Sequence, residues 1–242
     1  MSNNKINKIS EDIEKLEILK YLDLSNNNLK EFPNVALGAL SFLDLSFNNF
    51  DELPSSIFTP NIKILKINNN NISKLPNNID KASSLYILEA QDNNLKYLPD
   101  SFSNILSLRN LNLSRNNLDR IPNQITKITS LENLWFNGNN LTYLPAGFIF
   151  LDNLEKLYLD DNKFTEFPKN LYKLEDNLSE LSMKNNNLTQ IPSDIFEKIN
   201  LSFFYISGNP LNNINAEIKN IKHKESTKAI FRIFKTDKII KI

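Results

Sequence analysis

The chain contains no cysteine, which excludes disulfide bonds, thiolate nucleophiles and zinc–thiolate sites and fits a reducing compartment. Long apolar runs are also missing: no segment approaches the roughly 18 residues that a membrane-spanning helix needs. The first residues, MSNNKINKIS, lack the continuous apolar stretch of a secretory signal. We therefore expect a soluble, cytoplasmic protein without integral membrane association.

Glycine and histidine are scarce as well. The four glycines never cluster into a phosphate-binding loop such as GxGxxG, and the single histidine, His223, has no nucleophile near it in the sequence. Basic and acidic residues balance at 28 each, so the chain as a whole offers no electrostatic attraction for nucleic acid. These features predict a protein that is not an enzyme and binds no cofactor, metal or nucleic acid.

A repeated pattern, LxxLxLxxN, accounts for most of the chain. Nine copies follow one another at intervals of 21 to 24 residues, and eight of them continue into an apolar residue and a proline, as in Leu98-Pro99. The first positions of the copies are Leu19, Leu40, Ile62, Leu85, Leu108, Leu131, Leu154, Leu178 and Leu201. The ninth position is always asparagine: Asn27, Asn48, Asn70, Asn93, Asn116, Asn139, Asn162, Asn186 and Asn209.

The spacing within each copy predicts its local structure. Alternate leucines of LxLxx point inward from a short parallel strand, while the residues between them face solvent. The asparagine stands where the strand must turn, and its amide can donate to and accept from backbone groups that the turn leaves unpaired. We expect a buried asparagine ladder, followed by an outer segment in which proline fixes φ and apolar residues recur every third position.

On these residues the chain resembles the leucine-rich repeat family, specifically the LxxLP type with a period of about 23 residues found in intracellular Ras-suppressor-like and plant Ras-group proteins. The resemblance implies an α/β repeat solenoid. Its expected form is a right-handed horseshoe with a concave parallel β-sheet, short helical or 3-10 turns on the convex side, and a C-terminal capping helix. The resemblance also implies protein partners of the small-GTPase or phosphatase signalling kind.

The pattern divides the chain into a partial N-terminal repeat over 1–18, nine repeats over 19–211 and an amphipathic cap over 212–242. Asn4, Ile6 and Ile9 continue the repeat register backwards, as the second half of a repeat without its strand. Residues 1–18 either shield the first strand themselves or leave an edge that a partner, a second copy or upstream sequence covers. Self-association through the N-terminal edge is one expectation.

The C-terminal segment is basic, with eight basic and three acidic residues from Ala216 onward. Ala229, Ile230, Ile233 and Phe234 would share one face of a helix. Such a helix suits docking over the last repeat, although a membrane-surface or calmodulin-target helix would also be basic and amphipathic.

Function in repeat proteins resides on the exposed face of the strands. Here the third repeat position is apolar in four consecutive copies, and the fifth position carries aromatic residues in the C-terminal half. The alternatives are that these side chains only pack across strands or, for Trp135 and Tyr158, stack on each other. The candidate partner-binding residues are Tyr21, Phe42, Phe47, Ile64, Ile87, Trp135, Tyr158, Phe203 and Tyr205.

Asp160 and Asp161 are the remaining candidates for chemistry, as a cation site or an acid–base pair. Neighbouring strand residues point in opposite directions, and Lys184 lies one repeat away, so a charged rim is favoured over a metal or catalytic site. The sequence therefore predicts a protein-interaction scaffold or adaptor that binds an unidentified protein on its concave face. The alternatives are an oligomerising structural module, an interaction domain of a larger protein, or a microbial effector.

Overall fold

A computed structural model describes residues 1–174, 177–192, 194–212 and 230–232 of the 242-residue chain. Short strands recur once per repeat and pair in parallel, in sequence order, in a single open sheet. The strands are β1 (Tyr21–Asp23), β2 (Phe42–Asp44), β3 (Ile64–Lys66), β4 (Ile87–Glu89), β5 (Asn110–Asn112), β6 (Asn133–Trp135), β7 (Lys156–Tyr158), β8 (Glu180–Ser182), β9 (Phe203–Tyr205) and β10 (Ile230–Arg232). This arrangement confirms the predicted parallel-sheet solenoid.

The outer side of the coils is formed by short 3-10 turns, as the apolar spacing predicted. They span Glu11–Lys15, Ser55–Ile57, Ile79–Lys81, Asp100–Asn104, Asn123–Lys127, Ala146–Phe150 and Lys169–Leu174, and one α-helical turn, α1, spans Ile195–Lys198. Pro99, Pro122 and Pro145 each stand in extended conformation just before such a turn. Proline suits this place because its fixed φ is compatible with the turn and its missing N–H leaves no donor unpaired.

The core consists of columns of apolar side chains that run from coil to coil. The central strand position contributes Leu22, Leu43, Leu65, Leu88, Leu111, Leu134, Leu157, Leu181 and Phe204, none more than 7% exposed. Register pairs such as Leu88↔Leu111 and Leu111↔Leu134 place these side chains directly beside one another. Since each coil buries its apolar face only against its neighbours, the sheet and the core are built by stacking.

The ninth-position asparagines connect successive coils through their side-chain amides. Asn116 is typical: its Oδ1 accepts from the backbone N–H of Leu95 in the preceding coil at 2.9 Å. Its Nδ2 donates to the Ala90 carbonyl of that coil at 3.0 Å and to the Leu113 and Ser114 carbonyls of its own coil at 3.2 Å each. Eight of the nine asparagines are buried and Asn209, in the last repeat, is half-buried.

The residue before each of these asparagines has a left-handed backbone, with φ between 49° and 76° in all nine repeats. These residues are Asn26, Phe47, Asn69, Asp92, Arg115, Gly138, Asp161, Asn185 and Gly208. Glycine adopts this conformation freely and Asn and Asp tolerate it, whereas larger side chains do not. Phe47 and Arg115 are therefore the two strained members of the series.

The N-terminal segment has the hydrogen-bonding geometry of a half repeat. Asn3 has a φ of 56°, like the residue before every ladder asparagine, and the Asn4 amide donates to the Met1 and Ser2 carbonyls. The Ile6 N–H donates to Oδ1 of Asn27 at 3.0 Å, which ties the segment to the first coil. Beyond the 3-10 turn, Ile18 is 88% exposed beside β1.

The predicted C-terminal capping helix lies largely outside the described residues, as do Ala229, Ile233, Phe234 and His223. Within that segment, Ile230–Arg232 form β10 and pair with β9 in the register Ile230↔Phe203. These three residues are therefore extended rather than helical. The edge of β9 offers unpaired backbone groups, and an Ile-Phe-Arg segment of high strand propensity satisfies them.

Candidate functional site

The third repeat position forms an apolar column on the concave face. Register pairs join Tyr21 to Phe42, Phe42 to Ile64 and Ile64 to Ile87 on four consecutive strands. The Tyr21 and Phe42 rings stack at 4.1 Å between centroids, with planes 4° apart. Tyr21 is exposed, and the other three side chains are half-buried. The column thus presents a continuous apolar strip to solvent across β1–β4.

Phe47 lies apart from this column. It follows β2 in the turn, five residues after Phe42, and is 50% exposed with a φ of 53°. Phe47 is one of the predicted partner-binding residues, but it belongs to the turn and not to the register pairs that form the column. A bulky side chain at a positive φ is an outlier that costs free energy, and such outliers cluster at functional sites.

The fifth repeat position places the chain's one tryptophan next to a tyrosine. Trp135↔Tyr158 is a register pair of β6 and β7, and the two rings lie 5.7 Å apart with planes within 3°. Both side chains are half-buried. Burial, followed by a hydrogen bond to Glu180 and the charge of that carboxylate, raises the pKa of Tyr158 well above its ordinary value of about 10. The pair therefore stands fixed on the concave face with its phenol protonated at neutral pH.

A second aromatic pair lies at the C-terminal end of the same face. Phe203 and Tyr205 both belong to β9, and their rings are 6.4 Å apart and nearly parallel. Nζ of Lys184 lies 5.8 Å from the centre of the Tyr205 ring, a cation–π distance. The predicted aromatic residues of the C-terminal half therefore form two clusters, on β6–β7 and on β9, with β8 between them.

Ion pairs join neighbouring coils on the strands and in the segments just before and after them. Lys66 pairs with Glu89 at 3.1 Å, Lys156 with Glu180 at 3.8 Å, and Arg109 and Arg115 with carboxylates on the next and the preceding coil. Sequence reasoning missed these pairs. Opposite charges at equivalent positions of consecutive repeats were the signal that could have revealed them.

The structure shows that Asp160 and Asp161 have separate surroundings. Asp160 is buried and accepts from the Ser182 hydroxyl and, at 2.8 Å, from the Lys184 N–H, and its other oxygen lies 3.3 Å from Lys184 Nζ. Asp161 is exposed and accepts from the Asn185 side chain at 2.8 Å. Each carboxylate thus connects its coil to the next one. In the described ranges, no group of three or more His, Asp or Glu side chains is placed to hold a metal ion.

Exposed aromatic residues off the sheet were also missed by the sequence analysis. Tyr97 and Tyr143 stand two residues before Pro99 and Pro145, at equivalent places of two repeats, and are 57% and 53% exposed. Their signal in the sequence was a large aromatic residue at a position that other repeats fill with a charged or polar one.

Sequence models of the leucine-rich repeat match the chain over residues 19–40, 39–59, 107–164 and 152–211, which together exceed half its length. No curated protein matches. Among the described residues, no helix is long and apolar enough to cross a membrane.

Solved leucine-rich-repeat structures share the fold. A leucine-rich-repeat protein of Leptospira interrogans is 22% identical with a TM-score of 0.66, and the match covers 98% of this chain and 77% of that one. The ectodomain of the Arabidopsis thaliana receptor kinase GASSHO1/SCHENGEN3, in complex with CASPARIAN STRIP INTEGRITY FACTOR 2, is 24% identical with a TM-score of 0.74, covering 96% of this chain and 29% of that one. The Arabidopsis receptor kinase HAESA, in complex with the peptide hormone IDA and a co-receptor, is 28% identical with a TM-score of 0.68, covering 83% and 35%.

Proposed function

The chain belongs to the leucine-rich repeat family, and from this premise we propose that its concave face binds a protein partner, which makes the chain a scaffold or adaptor. The leucine-rich repeat fold is typically a protein–protein interaction module, and such proteins are generally not enzymes. The specific contacts of this chain lie in positions that the repeat pattern leaves free to vary.

The observation that carries the proposal is the pair Trp135 and Tyr158. The core beneath them is already filled by Leu134 and Leu157, both 0% exposed, so the two rings are not needed to complete it. Tryptophan and tyrosine are the residue types most enriched at the energetic centres of protein interfaces. Rings fixed against each other also lose little conformational freedom on binding, which favours affinity.

The span of the candidate residues indicates the size of the partner. The apolar column lies on β1–β4 and the Trp135–Tyr158 pair on β6–β7, so a partner that touches both crosses seven strands at about 4.8 Å each. Such a distance suits a folded surface or an extended segment rather than a small molecule. HAESA, whose structure holds a peptide hormone, supports the extended segment, although this chain spans only about a third of that protein.

We also propose a cytoplasmic location and a partner in small-GTPase or phosphatase signalling. The absence of cysteine favours a reducing compartment. The apolar-Pro continuation of eight repeats resembles the Ras-suppressor-like type of leucine-rich repeat, which favours this class of partner.

Affinity purification followed by mass spectrometry tests the proposal, with the chain as bait and a Trp135→Ala/Ile64→Asp double variant as matched control. We expect a protein that is retained by the chain and lost from the variant, while both baits melt as folded proteins. A partner retained equally by both baits would place binding outside the concave face.

The N-terminal edge supports a second candidate function, self-association. Ile18 is 88% and Tyr21 61% exposed, and the outer edge of β1 has no strand beside it within the described residues. Unpaired strand edges with apolar neighbours favour pairing with a second chain. Light scattering at increasing concentration would detect a dimer that Ile18→Asp abolishes, whereas a mass that stays monomeric in both proteins would dismiss this function.

A further inference from the structure

The two aromatic clusters on β6–β9 have a defined spacing along the sheet. Trp135 and Tyr158 form the first cluster on β6 and β7, and Phe203 and Tyr205 form the second on β9. Strand β8 between them has Ser182 at the same repeat position, in register with both tyrosines. Since neighbouring strands lie about 4.8 Å apart, the backbone positions of Tyr158 and Tyr205 are about 9.6 Å apart.

Two hydrogen-bond donors of these clusters have no acceptor in the described part of the chain. They are the indole N–H of Trp135 and the hydroxyl of Tyr205, whereas the hydroxyl of Tyr158 is bonded to Glu180. Neither of the two free donors is buried. The rings themselves are half-buried or, for Phe203, exposed. The clusters therefore combine accessible apolar rings with two donors that a ligand can reach.

The charges around the clusters leave one carboxylate without a partner. From the residue before each of the strands β6–β9 to the second residue after it, every other charged side chain is paired. The pairs are Glu132–Arg109, Lys156–Glu180 and Lys184–Asp160. The exception is Glu155, which is exposed, directly precedes β7 and forms no ion pair among the described residues. Charge complementarity therefore favours a ligand that is mostly uncharged and has a basic group.

The spacing of the clusters distinguishes between regular conformations of a bound segment. Side chains on one face repeat about every 6.8 Å along an extended strand and about every 5.4 Å along an α-helix. A polyproline II helix has three residues per turn with a rise of about 3.1 Å each, so its side chains repeat about every 9.3 Å. This last period is the one that matches the spacing of the two tyrosine positions.

The free donors favour the same conformation. An α-helix uses its carbonyl groups for its own hydrogen bonds, whereas a polyproline II helix has no internal hydrogen bonds and leaves its carbonyls available. Trp135 and Tyr205 can donate to such carbonyls. Aromatic-lined surfaces bind proline-rich segments because the helix is already formed and loses little conformational entropy. Ring surface, donors and spacing therefore point to one type of ligand.

We propose that β6–β9 bind a proline-rich segment of the protein partner in the polyproline II conformation, with two prolines three residues apart packed against Tyr158 and Tyr205. The segment runs across the strands, its carbonyls accept from Trp135 and Tyr205, and a basic residue beside the first proline faces Glu155. The inference rests on the proposed function and deepens it by naming the chemical class of the partner segment.

Trp135 is the only tryptophan of the chain, so its fluorescence reports binding at this surface without a label. Three blocked peptides are titrated to millimolar concentration into the full chain: Arg-Pro-Ala-Ala-Pro-Ala, Arg-Pro-Ala-Ala-Ala-Pro and Glu-Pro-Ala-Ala-Pro-Ala. We expect a saturable change with the first, roughly tenfold weaker binding of the second, whose prolines are four residues apart, and several-fold weaker binding of the third. No saturable change, or equal binding of the first two peptides, would overturn the inference.

Two tyrosine variants separate this surface from the rest of the chain. Tyr205→Ala removes one ring and one donor but keeps Trp135 as the reporter, so it should bind the first peptide roughly tenfold more weakly. Tyr143→Ala is the matched control, because Tyr143 is exposed and lies off the sheet, and it should bind like the wild type. Thermal melts establish that both variants are folded. Equal binding by the two variants would contradict the contact with Tyr205.

A charge reversal tests the contact with Glu155 and does not depend on the aromatic rings. Glu155 is exposed, so Glu155→Lys leaves the core intact. The variant should bind the peptide that begins with glutamate more tightly than the one that begins with arginine, which is the reverse of the wild-type preference. An unchanged preference for the arginine peptide would show that the basic residue does not face Glu155.

Failure of this inference and failure of the proposed function give different results. If a captured partner depends on Trp135 and Ile64 but binds Tyr205→Ala and Glu155→Lys normally, the concave face is the binding surface and the proline-rich segment is wrong. If the partner binds Trp135→Ala and Ile64→Asp normally, the proposed function itself is wrong.

Discussion

Oδ1 of Asn116 accepts a hydrogen bond at 2.9 Å from the backbone N–H of Leu95, which belongs to the preceding coil. Asn116 is 6% exposed and uses its remaining hydrogen-bonding capacity on three carbonyls, one of that coil and two of its own. The amide thus supplies hydrogen bonds that backbone groups cannot provide where the strand ends. It also connects two consecutive repeats through residues that lie 21 positions apart in the sequence.

Asn116→Ala should therefore be strongly destabilising. The variant leaves the buried Leu95 N–H unpaired and removes one of two donors from each of the Ala90, Leu113 and Ser114 carbonyls, so we expect a loss of about 1–3 kcal/mol in the free energy of unfolding, measured in urea. Asn117→Ala is the matched control, because Asn117 is exposed and its side chain forms no hydrogen bond within the described part of the chain. If both variants lose less than 1 kcal/mol, the asparagine ladder does not hold the coils together.

Leu111→Ala tests the stacking of the core. Leu111 is 0% exposed between Leu88 and Leu134, so its truncation leaves a cavity and should cost roughly 2–5 kcal/mol in urea melts. Leu106, which is 64% exposed, is the control, and Leu106→Ala should change stability by about 0.5 kcal/mol or less. Equal effects of the two substitutions would contradict the assigned repeat register.

Replacement of Phe47 by asparagine should stabilise the protein. Its φ of 53° costs a bulky side chain about 1–2 kcal/mol, and asparagine, which fills the equivalent position at Asn26 and Asn69, tolerates this backbone. Phe47→Asn should raise the free energy of unfolding by about 0.5–1 kcal/mol, and the reverse change Asn69→Phe should lower it by a similar amount. A loss of stability in Phe47→Asn would show that the ring packs usefully in the free protein.

The raised pKa values of Tyr158 and Tyr172 predict that the protein loses stability at high pH. Burial, and then hydrogen bonds to Glu180 and Asp194, raise the pKa of both phenols above the value of about 10 that they have when unfolded. A raised pKa in the folded state gives stability that is complete below pH 10 and is lost as the pH rises above it, because the unfolded chain releases the proton first.

Urea melts between pH 8 and pH 11.5 measure this effect. The free energy of unfolding of the wild-type chain should decrease above pH 10. Tyr158→Phe and Tyr172→Phe should each make that decrease smaller. Tyr97→Phe, in an exposed ring, is the control and should follow the wild type. A fall above pH 10 that is identical in all four proteins would contradict the assignment.

The repeat pattern alone predicted most of the fold, because each conserved position in the pattern determines one local element of structure. Alternating leucines define the strands, asparagine the ladder, and proline the start of the outer turns. The strain at Phe47 and Arg115 could not be predicted, because the repeat pattern does not show that the residue before each asparagine has a left-handed backbone. Ile230–Arg232 were expected in a helix because their apolar spacing suits one, yet pairing with β9 depends on a strand edge far away in the sequence.

The candidate site was only partly predictable. Solvent-facing columns follow from period-2 alternation, so the neighbouring positions of Trp135 and Tyr158 were foreseen. The pairing of Lys66 with Glu89 depends on side-chain rotamers that no repeat pattern encodes.

The central claim is that the concave face binds a partner without contributing to the core, and Trp135→Ala tests it most directly. A urea melt and a binding titration with the captured partner should be made on this variant and on Tyr97→Ala, an exposed aromatic residue off the sheet. We expect Trp135→Ala to keep its free energy of unfolding within about 1 kcal/mol and to lose roughly 2 kcal/mol of binding free energy, about 30-fold in affinity, while Tyr97→Ala loses neither. Normal binding by Trp135→Ala and by Ile64→Asp would contradict the account and place recognition on another surface of the chain.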